Sequence, residues 1–137
     1  MLRLTVRAVD GPPVVPSQKP PLTYDPTNVF ARILRKEIPA KVLHEDEHCM
    51  AFHDVVPQAP THFLVIPKRD IATLSDATPA DASLLGHLLV TAANVAKQLG
   101  VDEGSRIVIN NGAGAGQTVF HLHVHVLAGR NLAWPPG

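Results

Sequence analysis

His121-Leu122-His123-Val124-His125-Val126-Leu127 sets histidine and branched apolar residues in strict alternation. Successive side chains of a β-strand point to opposite faces, so this period predicts a strand with the imidazoles on one face and Leu122, Val124 and Val126 on the other. The apolar face belongs to a core. On the other face neighbouring imidazoles lie about 6–7 Å apart, given a rise of ~3.3 Å per residue. Groups that close resist being charged together, which keeps at least one neutral and nucleophilic near pH ~7.

The chain around this stretch has 137 residues, room for one domain with a real core. Lys and Arg number 12 and Asp and Glu 12, so there is no basic field for a nucleic-acid polymer or an anionic membrane, while a small anionic ligand stays open. Cys49 is the only cysteine, which excludes an internal disulfide and a Cys-rich zinc site and suits a reducing compartment. No apolar run approaches the ~20 residues that cross a bilayer. A soluble, cytoplasmic protein is expected. Met1 to Asp10 alternates Arg3 and Arg7 with Leu2, Leu4, Val6 and Ala8, which reads as a mitochondrial presequence, a frayed terminus or an edge strand. Gly11 to Pro26 is too proline-dense for helix or central strand. Residues 1–26 are therefore a leader and 27–137 the domain.

Thr27 is expected to cap a short helix with Phe30, Ile33 and Leu34 on one face and Arg32, Arg35 and Lys36 on the other, ended by Pro39. Lys41 to Glu45 and Cys49 to Asp54 predict a hairpin, and His62 to Pro67 a buried central strand. Thr78-Pro79 opens a long helix that Gly100 ends. Its stripe of Leu84, Leu85, Leu88, Leu89, Ala92, Val95, Ala96 and Leu99 is wider than one sheet face demands, which suggests a dimer surface that Glu at Leu88 or Ala92 would split. Ser105 to Asn110 is a further strand. The fold class is α+β: about five mostly antiparallel strands with one short and one long helix.

Asn111-Gly112-Ala113-Gly114-Ala115-Gly116-Gln117 lacks Gly-Lys-Ser/Thr and precedes a strand, so neither a P-loop nor a Rossmann turn fits. By itself it is a hairpin turn; beside three histidines its glycines let backbone N–H groups approach a phosphate. Alternating histidines also suit zinc, but no acid is adjacent in sequence to complete the site. His62 is a candidate fourth member. His44, His48, His53 and His87 show no local pattern and read as surface or core.

The histidine stretch resembles the signature of the histidine triad superfamily. Ile38-Pro39-Ala40-Lys41, Phe52-His53-Asp54, Pro57 to Lys68, Gly129-Arg130 and Trp134-Pro135-Pro136-Gly137 extend the likeness to its nucleotide-binding branch, over about Thr27 to Gly137. The resemblance implies a HIT-like fold, a two-fold homodimer, no metal or cofactor, and hydrolysis of purine nucleoside phosphoramidates to the nucleoside monophosphate. It further implies His123 as nucleophile, His125 on the phosphate and leaving-group side, His121 orienting the nucleophile and His62 behind them. Asp54 corresponds to the ribose carboxylate, and Phe30, Ile33, Ile38, Phe52, His53 and Val55 to the base wall. Asn110, Gly116 and Thr118 correspond to phosphate contacts, Thr118 standing where serine is usual and able to relay a proton. Trp134 corresponds to a residue near the partner's site. A non-catalytic nucleotide-binding scaffold and a zinc module are the alternatives.

Overall fold

The computed structural model describes residues 23–137, so the readings of Met1 to Asp10 and most of the leader lie outside the described residues. Asn28, not Thr27, caps helix α1 (Val29–Leu34): its side chain accepts the Ala31 N–H at 2.9 Å, while Thr27 is engaged by Asp25. Strands β1 (Val42–Glu45) and β2 (Cys49–His53) make the expected hairpin, each trimmed by one residue from its sequence run. β3 (Thr61–Pro67) is the buried central strand. Thr78 and Asp81 form a capping box, but Pro79–Asp81 is a tighter 3-10 turn, and α2 begins at Ala82 and runs to Gln98. β4 (Ser105–Val108) ends before Asn110, and β5 (Val124–Ala128) closes the order β1-β2-β3-β5-β4, antiparallel throughout.

Alternation sorts the sheet's two faces. Cys49, Ala51, Phe63, Val65, Val124 and Val126 pack with Leu88, Ala92, Val95 and Ala96 of α2, and Met50, Phe52, Leu64 and Ile66 pack with Phe30 and Ile33 of α1. Leu88 and Ala92 are thus core, and a glutamate there breaks the fold before it breaks any dimer. The surplus of the stripe is real but lies elsewhere, at Leu89 and Leu99 and at the adjacent Val90, all exposed.

The histidine stretch needs one correction. Pairing of β5 with β3 stops at Val124 opposite Val65, so His121, Leu122 and His123 precede the strand. The cause is the next partner on β3: Pro67 has no N–H, and its carbonyl is taken by the His121 ring, while the Leu122 N–H bonds to the Ile71 carbonyl. The alternation of faces survives, with Leu122 in the α2 core and the imidazoles on the α1 side.

Candidate active site

His62 and His125 arrive from neighbouring strands, and the register that sets Leu64 opposite His125 brings their rings into contact. Backbone groups that can only donate or only accept fix three of the tautomers, and the fourth follows through the His62–His125 bond. The Gln58 backbone N–H donates to His62 Nδ1 at 3.0 Å, so the proton of neutral His62 sits on Nε2 and is donated to His125 Nδ1 at 2.9 Å. The His125 proton is therefore on Nε2. His123 Nδ1 donates to the His121 carbonyl at 2.7 Å, which leaves the lone pair on its Nε2. His121 Nε2 donates to the Pro67 carbonyl, and its Nδ1 accepts the Tyr24 hydroxyl at 2.5 Å.

The rings are neutral in this setting. Burial pushes His121, His123 and His62 below the ordinary histidine value, and burial together with His123 and His62 lowers His125 to about 4. His123 and His125 lie 4.9 Å apart, centroid to centroid, closer than a regular strand would set them. Phe30 presents its edge to His123 at 4.9 Å and packs on Phe52. One neutral imidazole thus offers a lone pair, and its neighbour offers a proton.

The other sequence-predicted residues fall around this pair. His53, Asp54 and Val55 line a cleft of about 710 Å³ with Pro39 and Lys41, and Ile33 and Ile38 line a smaller hollow of about 200 Å³ beside it. Asn110 shares a third hollow, about 210 Å³, with His62 and His125. Asp54 Oδ2 lies 3.4 Å from His62 Nε2, so the fold supplies the acid that the local sequence lacked. Trp134 is 82% exposed and Thr118 is exposed, neither holding a site side chain.

The glycine loop is a correction at Gly112 and Gly116. It is a 3-10 turn over Ala113–Ala115, flanked by Gly112 and Gly116 at φ 93° and 94°. The Gly112 N–H is taken by Gln117 Oε1, and those of Ala115, Gly116 and Gln117 bond inside the turn, so the amides of Gly112 and Gly116 are not open to a phosphate. Gln117, buried and donating to the Ala72 carbonyl, pins the loop, and Asn111 bonds Ser75 across from it. Gln117 and Tyr24 are the site residues that sequence reasoning missed. Tyr24 sits in the segment read as leader and has no motif; only its contact with His121 reveals it.

Ligand atoms of Asp54, His62 and His125 all lie within 4.8 Å of one another, close enough to consider a metal. The donors do not fit one: with the Gln58 N–H on Nδ1, neutral His62 must keep its proton on Nε2, the atom that would have to bind the ion.

Fold and site together define an antiparallel α+β protein with a buried histidine cluster on the α1 face of its sheet. The chain belongs to the HIT family: residues 35–132 match the HIT domain. An uncharacterised HIT-like protein of Synechocystis sp. is 58% identical over 109 residues, covering 80% of this chain and 96% of the relative. The crystal structure of a HIT family hydrolase from Legionella pneumophila superposes with a TM-score of 0.78 at 47% identity, covering 80% of this chain and 99% of that one. A histidine triad nucleotide-binding protein from Candida albicans does so at 0.69 and 30%, covering 80% and 83%. A zinc-bound histidine triad family protein from Mycobacterium smegmatis gives 0.66 and 36%, covering 77% and 76%.

Proposed function

We propose that the protein is a purine nucleoside phosphoramidase, working as a homodimer without metal. The observation that carries this reading is the tautomer chain: His123 Nε2 holds a lone pair, set by the His121 carbonyl, while His125 Nε2 holds a proton, set through His62 by the Gln58 N–H. His123 Nε2 forms a bond to the 5′-phosphorus, the P–N bond breaks, and the amine departs with a proton delivered on the His125 side. Water then cleaves the nucleotidyl-histidine and frees the nucleoside monophosphate. Splitting one displacement into two is what a covalent nucleophile contributes. Asp54 in the lining of the larger cleft suits ribose hydroxyls, and the apolar residues of the two hollows suit a base.

The test is release of AMP from adenosine 5′-phosphoramidate, with trapping of an adenylylated histidine. His123→Ala should lower turnover by at least about 1,000-fold, as loss of a nucleophile does, and still bind AMP. Turnover above a few per cent of wild type would remove His123 as nucleophile. AMP binding without any turnover in the wild type would favour the scaffold instead.

A further inference from the structure

We propose that His44, Asp46, Cys49 and His87 form a second site, on the α2 side of the sheet, that binds one divalent transition ion of the zinc class. The sequence shows no pattern here, because the ligands come from β1, the hairpin turn, β2 and α2. The fold converges them. His44 Nε2 and His87 Nε2 reach the same oxygen, Asp46 Oδ2, at 2.7 and 2.8 Å, and Cys49 Sγ lies 3.5 Å from it. Two imidazoles, a carboxylate and a thiol are a donor set that suits zinc and cobalt(II).

The spacing of three of the four is close to what an ion needs: ligand atoms of His44, Asp46 and Cys49 all lie within 4.8 Å of one another, and His87 joins them through its contact with Asp46 Oδ2. A zinc tetrahedron with N and O at about 2.1 Å and S at about 2.3 Å has edges of about 3.4–3.6 Å. The sulfur–oxygen edge already matches, and the two rings must retreat by roughly half an ångström or more. The outer support is in place: Asp46 Oδ1 accepts the His48 and Cys49 backbone N–H groups at 2.7 and 2.9 Å, which turns Oδ2 toward the rings. Access is open on the ring side, where His44, Asp46 and His87 are each partly exposed beside a cleft of about 400 Å³ lined by His48, Ser83 and His87. Cys49 forms the buried floor.

The contrast with the triad lies in the tautomers. His62 has its Nδ1 occupied by a backbone N–H and cannot free Nε2. Neither His44 nor His87 has a hydrogen-bond partner on Nδ1 among the described residues, so each ring can move its proton there and turn the Nε2 lone pair to the ion.

Cobalt(II) titrated into the full chain tests this. Cys49 is the only cysteine, so a thiolate-to-cobalt charge-transfer band can come from this site alone. The expected result is that band, with tetrahedral d–d absorption, saturating at one ion per chain and lost on displacement by zinc. Cys49→Ser should lose the band. His44→Ala with His87→Ala, both changes at half-exposed positions, should weaken binding by at least about 100-fold, since even the outer partners of a ligand cost 10- to 100-fold. His125→Ala should leave the band unchanged. A wild-type protein without the band, a band that survives loss of both histidines, or one lost with His125 overturns the proposal and leaves Asp46 as a hydrogen-bond clasp between hairpin and helix.

Discussion

His123 and His125 differ in tautomer because their neighbours differ: the Nδ1–H of one donates to a carbonyl, and the Nδ1 of the other accepts from a second imidazole. Burial, by lowering all the site histidines, keeps this arrangement neutral. The folded state therefore binds fewer protons than the unfolded chain once the pH falls below the ordinary value of 6.5. Stability from these groups is complete above that value and is lost as the pH falls from 6.5 toward the folded values, His125 at about 4 being the lowest. Activity should follow the same window. The acid limb of kcat/KM is expected below 6.5, the rings titrating as a coupled set, and a half-maximal point at or above 6.5 counts against a neutral, buried triad.

Among the elements, β5 carries His125 and its C-terminal end is tightly specified. Gly129 follows it at φ 93°, and a Cβ there would meet Pro60 Cβ at 2.9 Å, on the segment that leads into β3 and His62. Gly129→Ala combines backbone strain with displacement of that segment and should destabilise by about 1–3 kcal/mol. Gly86, inside α2 with nothing within 4 Å of an added Cβ, is the counterpart: Gly86→Ala should stabilise by about 0.5–1 kcal/mol through helix propensity. Urea unfolding of the two variants checks both signs. If Gly129→Ala unfolds like wild type, the tight approach to Pro60 is relieved at no cost and does not position β3. The helix and central-strand signals in the sequence are good because they are local: Thr78-Pro79 and the apolar run 63–66 act within a few residues of themselves. The first helix cap was misplaced by one residue, since Thr27 and Asn28 are both good caps and only the Asp25 contact decides between them.

For the whole molecule, the exposed apolar surface of Leu89 and Val90 on α2 and Ile107 on the edge strand β4 supports association through this side. Light scattering is expected to give a dimer, and Leu89→Glu or Ile107→Glu to split it, because an unpaired buried charge costs several kcal/mol. A monomer at micromolar concentration sinks the dimer, and a dimer indifferent to both charges moves the interface elsewhere. What the sequence by itself determined is whatever rests on periodicity: the strands and helices, the apolar face under α2 and the imidazole face above it, and with the quoted motifs the family. Period is a property of neighbours along the chain, and it survives even where His121 and His123 fall outside the strand. Only the tertiary structure decided which proton sits on which ring, since Gln58, Pro67 and Tyr24 stand far from the triad in sequence. It likewise pinned Gln117 to Ala72 and brought His87 onto Asp46, because hydrogen bonds between distant residues leave no repeat in the chain that makes them.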